Sequence, residues 1–288
     1  SAGVSEASSR KLKQMFEHEY EIRPPRDTFK NSLLIAGHQF HNVQGDRHYI
    51  LAGYPWFKCR ARDMFVSLPG LTLAVGEMDE FQSAMKTAAE AINDFINERP
   101  SECKIYEMEH PDVLLWAVWT LQQYAKKTSL KQCWDEYGTL LQDIIDYIRR
   151  GKHDNLFLHD NALLHTNGKD KAVTWMNSTA HGRPVVPRTG YVVEINALWY
   201  NALKFIEEMA VLTRNEEVQN SLKAQRDNGF KLYWIACGNT DFLYQRNLDM
   251  MKYMDSIKFP YTYRESGEGH IWRNWRIYLS EFAPMLFK

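Results

Sequence analysis

Apolar residues recur along this chain in steps of three and four. Phe81, Met85, Ala88, Ile92 and Phe95 fall on one helical face, and so do Leu114, Leu115, Val118, Leu121 and Ala125. Trp134, Tyr137, Leu141, Ile144, Ile145 and Ile148 form a third stripe. Ile195, Leu198, Trp199, Ala202, Phe205, Ile206 and Met209 form the most regular one, followed by a shorter one through Val218 and Leu222. Residues 9–22 and 27–38 carry further helical patterns, interrupted at Pro24-Pro25, where proline cannot continue the backbone ladder. Pro100 closes the first stripe, Pro111 suits the opening turn of the second, and Gly151 stops the third. No comparable set of alternating apolar and polar positions accompanies them. Repeated amphipathic helices of this length, joined as antiparallel neighbours, predict an all-α architecture in a single domain over residues 1–288.

Three stretches break the helical pattern. Residues 38–53 are polar and irregular. Residues 152–189 have little periodicity and carry Gly168, Gly182, Pro184 and Pro187. An aperiodic segment this long inside a compact domain is functional or disordered, and the presence of Trp175 favours function. From Phe230 onward aromatics are dense without a clean period, and residues 264–270 predict a loop.

Composition removes several classes of function. The 288 residues are 44% hydrophobic and 25% charged with a net charge of -1, ordinary for a soluble globular chain. No electrostatic footprint for nucleic acid or an acidic membrane surface is present. No apolar run approaches the roughly 20 residues of a spanning helix, and the polar opening, SAGVSEASSRKLK, has no signal-peptide core and resembles a start cut into a longer protein. Cys59, Cys103, Cys133 and Cys237 form no C-x-x-C pair, so free thiols in a reducing, cytoplasmic compartment are the expectation. His153, His159 and His165 recur every six residues, a spacing that matches no zinc site, and no metal or cofactor is expected. P-loop, dinucleotide and G-x-S-x-G motifs are missing from the sequence.

The candidate chemistry lies where aromatic and polar residues mix. Residues 51–70 place Tyr54, Trp56 and Phe57 around Pro55, then Arg62-Asp63 at the start of an apolar helix. Aromatic faces cover the C–H patches of a sugar, while a donor-only guanidinium and an acceptor-only carboxylate together grip neighbouring hydroxyls. The plainer alternative is an ion pair at a helix start beside a buried aromatic cluster. Asp112 precedes Trp116 by one helical turn, which suits either a sugar subsite or a carboxylate favoured by the helix dipole. The third stretch holds Trp175, Asn177, Arg188, Glu194 and Asn196; Glu194 and Asn201 share a helix face, as at a site mouth or a solvent edge.

AGYPWF followed by Arg62-Asp63 and FVSLPGL, the later TWM, GRPVVPRTG and VEINALWYNAL together resemble the C-terminal, amylo-α-1,6-glucosidase domain of glycogen debranching enzymes. The likeness covers roughly residues 30–229; residues 230–288 are unmatched. It implies an (α/α)6 toroid, incomplete at the C-terminal end, that hydrolyses α-1,6-linked glucose at the branch points of glycogen or limit dextrin with inversion. Inverting chemistry uses two carboxyl groups, roughly 6.5–9.5 Å apart: one protonates the leaving oxygen, the other activates water. The resemblance places the acid after Thr-Trp-Met, where this chain has Asn177, which cannot donate a carboxylic proton. Glu194 is the reserve carboxylate, and Glu265 and Glu268 are the loop carboxylates nominated for the base. Trp56, Arg62, Asp63, Asp112, Trp116, Trp175, Arg188 and Asn196 are the expected substrate-binding residues, with an α-glucan as the partner. Two alternatives stand beside this one: a catalytically inactive or truncated relative that binds α-glucan or serves structurally, and another toroid glycosidase of trehalase type.

Overall fold

The computed structural model describes residues 13–14, 16–17, 24–54, 56–212, 233–256, 258–282 and 285. The Val218–Leu222 stripe, Pro55 and most of 9–22 lie outside them. The chain divides into two compact units, residues 1–223 and 224–288.

Among its described residues, the first unit is helical where the stripes predict it. Helix α1 (Phe29–His38) opens on Thr28, whose hydroxyl accepts from Asn31 N at 3.1 Å. Helix α2 (Ala61–Leu68) runs into a π-helical turn at Pro69–Leu73, and then come α3 (Met78–Ile96), α4 (Val113–Lys127) and α5 (Leu130–Arg149). Ser129 caps α5 by accepting from Gln132 N at 3.1 Å, and Gly151 takes the left-handed conformation just past its end (φ +62°). Helix α6 (Val193–Leu212) carries the most regular stripe, and Ile195, Leu198, Trp199, Ala202, Phe205, Ile206 and Met209 are all buried.

Helix α4 is the axis of this unit. It is apolar nearly all round, and such a helix belongs inside a core. Val113, Leu114, Ala117, Val118 and Leu121 are fully buried, and α4 packs on α2, α5, α6 and the π turn. Tyr124 stacks on Phe81 of α3 at 5.0 Å and donates its hydroxyl proton to Glu136 on α5 at 2.7 Å, so a buried ring keeps its polar tip satisfied. Thr120, also buried, donates to the Phe65 carbonyl of α2 at 2.6 Å.

The irregular residues 38–53 contain a hairpin. Strands β1 (His41–Gln44) and β2 (Arg47–Ile50) pair antiparallel with His41 opposite Ile50, and Gly45 supplies the positive φ of the two-residue turn. The alternation is too short and too polar to show as a strand pattern; only Tyr49 and Ile50 reach the core. Residues 152–189 hold two-residue ribbons, β3 (Phe157–Leu158) with β4 (Leu164–His165) and β5 (Thr179–Ala180) with β6 (Arg183–Pro184). Side chains add to the ordering. Asn155 accepts from Asn167 N and donates to Asn167 O, and Trp199 Nε1 donates to Ala162 O at 3.2 Å.

The second unit is built differently. Strand β7 (Trp234–Gly238), helix α7 (Tyr244–Ser256) and strand β8 (Thr262–Ser266) form a parallel β-α-β crossover, followed by α8 (Trp272–Phe282). Ile235, Met251 and Met254 make its small core. The two loops beyond the strands are tied by Asp241 and His270, 3.0 Å apart. A Cβ on Gly238 would lie 2.0 Å from the Glu268 carbonyl oxygen, so only glycine fits there. Strands of five residues with aromatics on both faces give no alternation, so the sequence pattern does not reveal this sheet. The helical character expected of an all-α chain holds among the described residues, and the parallel pair departs from the all-α expectation.

Truncating Phe65, which is fully buried on α2, is predicted to destabilise the first unit by about 3–5 kcal/mol through lost transfer energy and a residual cavity. Urea unfolding of F65A checks this; a loss below about 1 kcal/mol contradicts the packing described.

Candidate functional site

The amino end of α2 is held by a strand-like contact. Ala61 N donates to Tyr106 O and Tyr106 N to Cys59 O, both at 2.9 Å, which brings residues 106–112 alongside Arg62. Arg62 then meets Asp112 through two parallel bonds: Nε to Oδ2 and Nη2 to Oδ1, both at 2.8 Å. Its side chain is 9% exposed and that of Asp112 is 1% exposed. Asp112 stands at the N-cap position of α4 without capping it. Its Oδ2 instead also accepts the Trp116 indole proton at 3.2 Å. Arg62 Nη2 also reaches His110 Nδ1 at 3.0 Å.

Members of this network line two cavities. The first, of about 490 Å³, is walled by Trp116, Trp175, Phe40, Leu71 and the stem of Arg62, with Asp63 at its polar side. Asp63 is exposed and Trp175 is 63% exposed, so both are open to a ligand. The second, of about 420 Å³, is lined by Asn177, His110, Asp154, Asp170, Glu107 and Glu109, with Arg60 and Lys171 as its cations. Arg60 is paired with Glu107 at 3.3 Å. Burial, and after it the Arg62 charge, lowers the His110 pKa below the ordinary imidazole value, so the ring is neutral at pH 7.

The remaining sequence-predicted residues sit apart from these cavities. Arg188 pairs with Glu194 through Nη2 and donates from Nη1 to Met176 Sδ at 3.6 Å, so the segments TWM, PRTG and VEIN converge on one another. Arg188 Nε and Glu194 Oε1 are buried there without a partner. Asn196 Oδ1 accepts from Leu164 N at 2.8 Å, and its Nδ2 donates to Leu164 O and Val192 O, which fixes β4 on α6. Asn201 pairs with Gln122 of α4 through reciprocal amide bonds at 3.0 and 3.1 Å, within the helix interface. Trp56 is 82% exposed and lines neither cavity. Thus Arg62, Asp63, Asp112, Trp116 and Trp175 assemble at one place, and Asn177 belongs to the neighbouring cavity. His110 stands between them. It was not among the sequence candidates; the only signal was its position two residues before Asp112. Glu265 and Glu268 belong to the second unit, where Glu265 accepts from Tyr244 at 2.8 Å.

Gly168 keeps the loops of the third stretch in place. A Cβ there would lie 2.4 Å from Arg188 N, and Thr166 and Gly190 exchange backbone bonds at 2.8 and 3.0 Å beside it. Among the described residues, no three His, Cys, Asp or Glu side chains gather to hold a metal ion, and no helix is long and apolar enough to cross a membrane.

A family model for amylo-alpha-1,6-glucosidase matches residues 34–258. The chain belongs to the amylo-alpha-1,6-glucosidase family. The match runs past residue 229, where the recognisable motifs end, and takes in β7 and α7; residues 259–288 lie beyond it. No curated protein matches the chain. In this member of the family, the two residues of the Arg-Asp pair face different ways: Arg62 meets a buried carboxylate, while Asp63 lines the open cavity.

Asp112→Ala leaves the Arg62 guanidinium buried and unpaired. It is predicted to destabilise the first unit by about 3–5 kcal/mol, whereas Arg62→Met combined with Asp112→Leu is predicted to cost far less. Chemical unfolding of both variants checks this; equal losses contradict it.

Proposed function

We propose that this chain is an α-glucan-binding glucosidase-type domain that holds a terminal glucose of an α-1,6 branch between Trp116 and Trp175, with Asp63 accepting sugar hydroxyls. The observation that carries this proposal is the first cavity: an unpaired, exposed carboxylate beside two indole faces, closed behind by a buried ion pair. Indole faces cover axial C–H groups, and an ionised carboxylate binds hydroxyls by charge-assisted bonds. Arg62 and Asp112 act here by building the wall, since Arg62 Nε and Nη2 and both Asp112 oxygens are engaged with one another, with His110 and with Trp116. The proposal takes the helices as part of an (α/α)6 toroid working on glycogen in the cytoplasm, with Arg188, Glu194 and Asn196 shaping the loop side.

Hydrolysis with inversion then requires an acid near the leaving oxygen and a base on the opposite face of the sugar. Asn177 occupies the acid's place. Its amide can hold a substrate oxygen by hydrogen bonding but supplies no carboxylic proton. The domain therefore binds branch glucose and cleaves it slowly or not at all. A second possibility follows from the Asn177 cavity, where Asp154, Asp170, Glu107 and Glu109 surround the amide: one of these carboxyls takes over the acid's task.

Asp63→Ala is predicted to weaken maltooligosaccharide binding by about 10–100-fold, the worth of one charge-assisted hydrogen bond. Calorimetry measures it, and an unchanged affinity removes the cavity from consideration. Asn177→Asp is predicted to raise glucose release from limit dextrin by roughly 10²–10⁴-fold, the usual span of general acid catalysis. If the parent chain is already as fast as the substituted one, a neighbouring carboxyl is the acid.

A further inference from the structure

His110 lies between the two cavities. Its imidazole lines the one that holds Asn177, and it touches Arg62, which lines the other. Arginine only donates, so His110 Nδ1 must accept from it, and the ring proton sits on Nε2. The two hydrogens of Arg62 Nη2 have one acceptor each, Asp112 Oδ1 at 2.8 Å and His110 Nδ1 at 3.0 Å, while Nε serves Asp112 Oδ2. That same Oδ2 takes the Trp116 indole proton at 3.2 Å. Four side chains from three segments thus form one chain of bonds that ends on a wall of the Asp63 cavity.

We propose that His110 is a positioning residue: its unprotonated Nδ1 is the third anchor of Arg62, and through Arg62 and Asp112 it fixes the plane of the Trp116 indole at the cavity wall. This goes beyond the sugar-binding proposal, because the contacts hold whether or not a glucan is the ligand. Protonation of His110 turns Nδ1 into a donor facing another donor and sets a second cation against Arg62. The guanidinium then has to shift or rotate, and the Asp112 carboxylate and Trp116 follow it.

The groups around the imidazole decide how this depends on pH. Arg62 on α2 disfavours the charged ring, as does burial; Glu107, Glu109 and Asp112, on the segment that carries His110, favour it, and His153 beyond α5 disfavours its charging in turn. Arg60, Asp154, Asp170 and Lys171 face it across the second cavity. The balance lowers the His110 pKa, so the anchor is intact at neutral pH and is lost on acidification below the ordinary histidine range. In linkage terms the unfolded chain takes up the proton first as pH falls from about 6.5, so stability declines from there down to the folded-state value.

The test follows the Trp116 indole N–H by ¹H–¹⁵N NMR, assigned with W116F, from pH 7.5 to 4.5 in the full chain and in two variants. His110→Asn keeps an acceptor oxygen where Nδ1 stood but does not titrate. His110→Phe keeps a ring of similar size but offers no acceptor. The Trp116 signal is expected to titrate in the parent chain, to stay flat in H110N, and in H110F to sit at the acid-form position at every pH. Maltose affinity, read by calorimetry on the same samples, is expected to fall at least about tenfold with acidification in the parent, and less in H110N. A Trp116 signal that titrates alike in the parent and H110N overturns the proposal. Maltose failing to bind at any pH overturns the sugar-binding role of the cavity and leaves the NMR comparison to decide on His110.

Discussion

A buried, bidentate ion pair between Arg62 and Asp112 is the constraint on which the site depends. Two charges taken out of water are stable only with well-placed partners, and here Arg62 Nε and Nη2 are answered by Asp112 and His110, and both Asp112 oxygens by Arg62 and Trp116. The pair joins the start of α2 to the start of α4, the helix that the rest of the first unit packs around. Because Arg62 must point inward to reach Asp112, Asp63, the next residue along the helix, faces out. The residue that closes the interior thus also sets the direction of the carboxylate that faces solvent.

The same logic explains why the loop between α5 and α6 keeps its shape with only two-residue ribbons of regular structure. Its backbone groups find side-chain partners: the Asn155 amide on residue 167, the Asn196 amide on residue 164, and the Thr189 hydroxyl on Gly168 N. Gly168 allows that segment to approach the Arg188 backbone closely. A segment held this way can carry Trp175 to one cavity and Asn177 to the next, two residues apart.

The helices were legible in the sequence because burial repeats with the helical period: every residue of the α4 and α6 stripes is buried. The β1–β2 hairpin was not, since one face of two four-residue strands gives too few apolar positions to register. The β7–β8 sheet was hidden by aromatics on both faces. At the candidate site, the sequence singled out the Arg62-Asp63 pair and the later motifs, but composition could not say which member of the pair is buried. That depends on Asp112, fifty residues away, and the step from 62 to 112 is a tertiary contact with no local signature. His110 was invisible for the same reason: a lone histidine before a proline acquires its meaning only from the guanidinium that folding brings to it.

The most direct measurement is a crystal structure of the protein soaked with isomaltose. The account predicts a glucosyl ring between Trp116 and Trp175 with its hydroxyls on Asp63, while Arg62 remains on Asp112. A sugar seated away from Asp63, or an Arg62 that leaves Asp112 to bind it, contradicts the account.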